Sequence, residues 1–117
     1  MPPRAQVVVL NPNSTQAVTD SLDNSLDRFR LGGGPGIVCE TLVEGPPAIE
    51  SDAHARQVVE PVCLHLEAHE QTPGAYVIAC FSDPGIEEAR RRLSQPVFGM
   101  AESGYLTACA RGKRFGV

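Results

Sequence analysis

Tryptophan is absent from this sequence, and phenylalanine and tyrosine bring the aromatic share to only 5% of 117 residues. That leaves no set of rings on which single-stranded nucleic acid would stack. An excess of basic charge is missing too: ten Lys+Arg face fourteen Asp+Glu, for a net charge of −4 and a pI near 5.3. Such a balance argues against a nucleic-acid partner and against an anionic membrane surface. No apolar run reaches bilayer-spanning length, and Met1-Pro2-Pro3-Arg4 has no signal-peptide core. A soluble, cytoplasmic protein is expected. Cysteines occur at 39, 63, 80 and 109 without any CxxC pair, which fits neither a disulfide scaffold nor a clustered zinc site. His65 and His69 share a helical spacing but no further ligand is obvious, and His54 stands alone. They read as solvated helix histidines, and no metal is expected. A phosphate loop with its lysine is also lacking, and Gly32-Gly33-Gly34-Pro35-Gly36 follows a helix where a dinucleotide fingerprint would follow a strand.

What is present has the hydrophobic content of one globular domain, at 42% apolar and 21% charged. Gln6 to Leu10 is a β-branched run cut off by Asn11-Pro12-Asn13, as a strand buried on both faces would be. Ser14 or Asn13 is placed to cap a helix carrying Val18, Leu22, Leu26 and Phe29 on its apolar face and Asp20, Asp23 and Asp27 opposite. The glycine run ends it, and Ile37 to Leu42 forms a second strand. A helical stretch runs from Ser51 or Asp52 to about Glu70, with a kink or a junction of two helices at Pro61. Ala75 to Cys80 is a third strand, Ile86 to Leu93 a helix with paired charges, and Val97 to Met100 a fourth strand. The arginines at 90, 91 and 92 read as a solvated helix face. A last helix spans Glu102 to Ala110, and 114–117 starts a fifth strand. This alternation predicts an α/β three-layer sandwich with a four- to five-stranded, mainly parallel sheet in the flavodoxin-like order 2-1-3-4.

Ligands of such sheets bind beyond the carboxyl ends of the strands. Chemistry is therefore expected in the loops at 11–15, 44–51, 80–85 and 101–103. Cys80 lies where a strand meets a turn leading to a helix N-terminus, a setting that favours thiolate. Position alone favours a small packed residue. Cys39 and Cys63 fit core packing, and Cys109 fits a packed helix face. Asn11, Asn13, Ser14 and Thr15 either hold a carbonyl or carboxylate oxygen or simply make an Asx turn and cap. Glu50, Ser51 and Glu102 share that ambiguity between capping and contact with substrate.

Four ordered segments resolve part of it: Asn11-Pro12-Asn13-Ser14-Thr15, Gly45-Pro46-Pro47-Ala48-Ile49-Glu50-Ser51, Ala79-Cys80-Phe81-Ser82-Asp83-Pro84-Gly85 and Pro96-Val97-Phe98-Gly99-Met100-Ala101-Glu102. Together they resemble the hydantoin racemases of the aspartate/glutamate racemase superfamily, close to the allantoin racemases. The resemblance covers essentially the whole chain. It implies a cofactor-independent, two-base racemase in which two facing α/β domains each supply one cysteine. It makes Cys80 the first-domain acid/base and gives Asn11, Ser14 and Thr15 to the substrate carbonyl or its enolate. Glu50, Ser51, Phe81 and Ser82 would line the pocket, with Glu102 beside them, and a small amino-acid derivative such as a hydantoin or allantoin would be the substrate.

The family is about twice as long, and its second cysteine lies in a Gly-Cys motif of the second half. Here residues 1–113 are expected to form the first domain, and 114–117 to open a second one that is missing. Cys109 falls on a first-half helix and lacks the motif. Ser82 stands where glycine is common, and Ser103-Gly104 where Ala-Ala is common. The expectation is a truncated racemase without full two-base activity, prone to homo-oligomer formation through the face a second domain would cover. The alternative is a non-enzymatic α/β module that binds a small ligand or self-associates.

Overall fold

The β-branched segment Gln6–Asn11 forms β1, and it is paired in parallel on both sides. The computed structural model describes residues 4–72, 74–112, 114 and 116. Within them the elements run β1, α1 (Gln16–Leu26), β2 (Gly36–Thr41), α2 (Asp52–Gln57), α3 (Val59–Glu67), β3 (Gly74–Ile78), α4 (Ile86–Arg92), β4 (Val97–Gly99) and α5 (Met100–Arg111). The sheet has four strands in the order β2-β1-β3-β4, all parallel. This is the architecture expected from the sequence. Of the suggested fifth strand at 114–117, residues 115 and 117 lie outside the described residues, and 114 and 116 are not in a strand.

Right-handed crossovers put α1 on one face of the sheet and α2, α3 and α4 on the other. The second face holds the apolar core. Val8 and Leu10 of β1, Tyr76 and Ile78 of β3 and Val97 of β4 pack there with Leu42, Val58, Val62, Cys63, Leu66, Ala89 and Leu93. Each fully buried leucine or isoleucine in this set contributes about 2 kcal/mol.

The face under α1 is less completely covered. Thr19 is the buried residue of α1, while Val18 is 40% and Phe29 59% exposed. The apolar face expected over Val18 to Phe29 is therefore only partly used. The α-helix ends at Leu26 and a 3₁₀ turn over Asp27–Phe29 follows, so the 3.6-residue period that would bring Phe29 inward is lost. Cys109 also departs from expectation, being exposed on α5.

Two helices do replace the long stretch after Ser51, but they meet at Val58 and not at Pro61. Proline lacks an N–H and its ring collides with the carbonyl four residues earlier, here that of Gln57. The helix consequently breaks before that carbonyl is needed, and Pro61 lies in the first turn of α3.

Candidate functional site

Parallel pairing brings the ends of β1, β2, β3 and β4 to one edge of the sheet, and local hydrogen bonds bind their loops together. Leu42 N donates to Asn11 O at 2.9 Å, and Ala79 N donates to Leu10 O at 2.8 Å. The loop after β1 is built around Asn11, which is buried. Its amide nitrogen donates to Asn13 Oδ1, Thr15 O and Thr19 Oγ1, and its own oxygen accepts from Asn13 N. Asn11 thus shapes the loop from behind.

The cap of α1 is Thr15, neither Ser14 nor Asn13. Asn13 Oδ1 accepts from Thr15 N at 2.9 Å, closing an Asx turn that moves the helix start one residue on. The Thr15 hydroxyl turns away to donate to Pro47 O at 2.6 Å, and Ser14 N donates to Pro46 O at 2.9 Å. These two bonds join the first loop to the second. Close approach there requires Gly45, because a Cβ at that position would lie 2.6 Å from Pro12 O. Thr15→Val keeps the shape and removes the hydroxyl bond. It is expected to cost about 1 kcal/mol, read as a lower urea midpoint; an unchanged midpoint would show that the bond carries no stability.

In the second loop, Ser51 caps α2, its hydroxyl accepting from His54 N at 3.1 Å. Glu50 is exposed, and its backbone N–H donates to His54 Nδ1.

Cys80 is half-buried just past β3, with Ser82 Oγ 3.4 Å from its Sγ. Phe81 is exposed and meets Tyr105 of α5 edge-on, ring centroids 6.1 Å apart. The helix that follows Cys80 starts only at Ile86, so a turn, not a helix end, adjoins the thiol. That turn is fixed by Asp83, to which the sequence alone assigned no role. Asp83 has a left-handed φ of 45° and aims its carboxylate at the start of α5. Oδ1 accepts from Ala101 N and Oδ2 from Glu102 N, both at 2.8 Å. The positive end of α5 is thereby occupied by a carboxylate of the cysteine loop. Gly99 makes room for it, since a Cβ there would overlap the Asp83 carboxylate. The Asp-Pro-Gly sequence, typical of a turn, was the available signal for Asp83.

Glu102 is held by Arg90, which bonds both of its carboxylate oxygens. The guanidinium keeps this carboxyl below the usual range. Burial pushes the thiols of both Cys39 and Cys63 up, with the Asp23 carboxylate adding to the effect at Cys39. A cleft of about 430 Å³ opens beside the cysteine loop, lined by Ser82, Asp83 and Gly85 together with Arg56 and Val59. Cys80 does not line it.

The histidine pair corrects the sequence reading. His65 and His69 are only about a quarter exposed, and both Nε2 atoms reach Oε1 of Glu40, at 2.8 and 2.7 Å. Glu40 arrives from β2, so the third member of the group is not apparent from local spacing. Burial alone would raise the Glu40 carboxyl, but hydrogen bonds from the two imidazoles outweigh it and hold it low.

The family model for Asp/Glu/Hydantoin racemase matches residues 7–117. The hydantoin racemase of Paenarthrobacter aurescens is 32% identical over 100 residues, covering 84% of this chain and 42% of that protein. That of Pseudomonas sp. (strain NS671) is 32% identical over 113 residues, covering 96% and 45%. An allantoin racemase from Klebsiella pneumoniae superimposes with a TM-score of 0.81 at 31% identity, over 91% of this chain and 43% of that one. The allantoin racemase of Pseudomonas fluorescens shares the fold, with a TM-score of 0.85 at 23% identity. The chain spans less than half the length of these relatives. A family match over nearly every residue, on a sheet of the same build, places the chain in the Asp/Glu/Hydantoin racemase family.

Proposed function

We propose that this chain carries one half of a cofactor-independent racemase site, with Cys80 as the acid/base of that half. The observation that carries the reading is the placement of Cys80. It is a half-buried thiol at the end of a central strand, where the strand-end loops converge and Asp83 fixes its turn. The proposed substrate is a small cyclic amide or amino-acid derivative with an acidic Cα–H, such as a 5-substituted hydantoin or allantoin.

In the forward step the Cys80 thiolate takes the Cα proton. The C–H bond breaks, an S–H bond forms, and the electron pair passes into the adjacent carbonyl as an enolate. The Ser14 hydroxyl and the first-turn N–H groups of α1 sit at the same edge of the sheet, and we assign them to that developing negative charge. Thr15, expected from the sequence to join them, has its hydroxyl on Pro47 O and its N–H on Asn13 Oδ1 and instead joins the two loops. Asn11 holds their loop in place. Glu50, Ser51, Phe81, Ser82 and Glu102 are assigned to the pocket wall. Completing racemisation requires a proton donor on the opposite face of the planar carbanion, because one thiol serves one face. None of the other three cysteines suits that role. Cys63 is enclosed in the core, Cys39 lies within β2, and Cys109 projects from the exposed side of α5, all on this same domain. The second donor is assigned to a facing domain like those of the longer relatives.

The test is uptake of solvent deuterium at Cα of enantiomerically pure 5-substituted hydantoins and allantoin, followed by proton NMR. Uptake with at least one of them is expected; none with any would contradict the proposal. A second reading, self-association of two copies, is favoured by exposed Phe81, Phe98 and Leu106 around β4 and α5. Sizing chromatography is expected to show a dimer, and a monomer across a hundredfold range of concentration would remove that reading.

A further inference from the structure

We propose that Glu40, His65 and His69 form a binding site for a divalent first-row transition-metal ion, with zinc as its natural probe. The three side chains each offer one ligand atom, and these atoms all lie within 4.8 Å of one another. Both imidazoles present Nε2 to the same carboxylate oxygen, with ring centroids 5.8 Å apart. Two imidazoles and one carboxylate are a donor set that suits zinc and its neighbours better than magnesium or calcium, which prefer all-oxygen surroundings.

The site is held on regular structure. Glu40 is paired opposite Leu10 in β2, so it shares the sheet face that α3 covers. His65 lies in α3, and His69 lies one turn further, its N–H donating to Leu66 O at 2.9 Å. Tetrahedral zinc with bonds of about 2.0–2.1 Å sets neighbouring ligand atoms about 3.3 Å apart. The present Nε2-to-Oε1 separations of 2.8 and 2.7 Å need to open by roughly 0.6 Å, a movement within reach of side-chain rotation. Each neutral imidazole then carries its proton on Nδ1, and its Nε2 lone pair forms the metal bond. An adjoining cleft of about 280 Å³, lined by Glu44, Pro61, Leu64 and His65, opens the site to solvent. A fourth ligand, water or a small anion, can approach from there. The bound ion would tie the edge strand β2 to α3.

The test is titration of the metal-free chain with Zn²⁺ and Co²⁺, read by calorimetry and by the cobalt absorption spectrum. One equivalent is expected, with visible bands of a low-coordinate nitrogen–oxygen site and no thiolate charge-transfer band. His65→Ala and His69→Ala are each expected to weaken binding by about 100-fold. His69 lies beyond α3, so its replacement leaves the helix intact, and circular dichroism checks that the variant is folded. Zinc should raise the Tm of the parent chain and not that of His69→Ala. A thiolate band, an unchanged affinity in folded His69→Ala, or no binding to the parent would each overturn the proposal.

Discussion

Replacing Cys80 by serine is expected to slow Cα proton exchange by about 10²–10⁴-fold, the usual contribution of one positioned acid or base. That corresponds to about 3–5 kcal/mol in the barrier. Serine preserves size and can still meet Ser82 Oγ, which lies 3.4 Å from the sulfur in the parent. The change therefore isolates acidity: a hydroxyl does not populate its anion near neutral pH, whereas a thiol does. Cys109→Ser is the matched control. Cys109 is exposed on α5, and its loss should leave the exchange rate unaltered. Equal rates for Cys80→Ser and the parent would move the chemistry elsewhere.

The turn carrying Cys80 should prove equally dependent on a residue that touches no substrate. Asp83→Ala removes two charge-assisted bonds to the first turn of α5, at Ala101 N and Glu102 N. It also leaves a residue with a Cβ at a φ of 45°. A loss of about 2 kcal/mol is expected, midway in the range for charged hydrogen bonds and helix caps. Gly99→Ala should act on the same contact from the other side, because its new Cβ would occupy the space of the Asp83 carboxylate. If both substitutions break one interaction, the double variant should be little worse than either single one. Urea denaturation of the four proteins gives this cycle directly. Additive losses would mean that Gly99 and Asp83 act independently.

The fold was largely legible in the sequence because a buried parallel sheet writes itself in short β-branched runs, here Val7 to Leu10, Ile37 to Cys39 and Tyr76 to Ile78. Alternation with amphipathic helices then leaves few topologies. Boundaries were less legible. The start of α1 depends on an Asx turn whose oxygen Asn13 could offer to several N–H groups, and the helix break at Val58 is displaced from the proline that causes it. That the candidate residues fall in loops at the carboxyl ends of strands was legible from topology alone. Their individual roles were not, since Asn11 turns inward and Glu102 binds Arg90 through tertiary contacts. The Glu40 cluster escaped for the same reason: helical spacing reveals His65 and His69, but only strand placement brings the carboxylate to them.

On the proposed reading, these 117 residues hold one face of a two-faced site. The most direct measurement compares deuterium uptake at Cα with inversion of configuration, using one enantiomer of a 5-substituted hydantoin that does not exchange on its own. Deuterium is expected to enter with handedness retained, because Cys80 removes and returns a proton on one side. Racemisation keeping pace with deuterium uptake by the purified chain would contradict it.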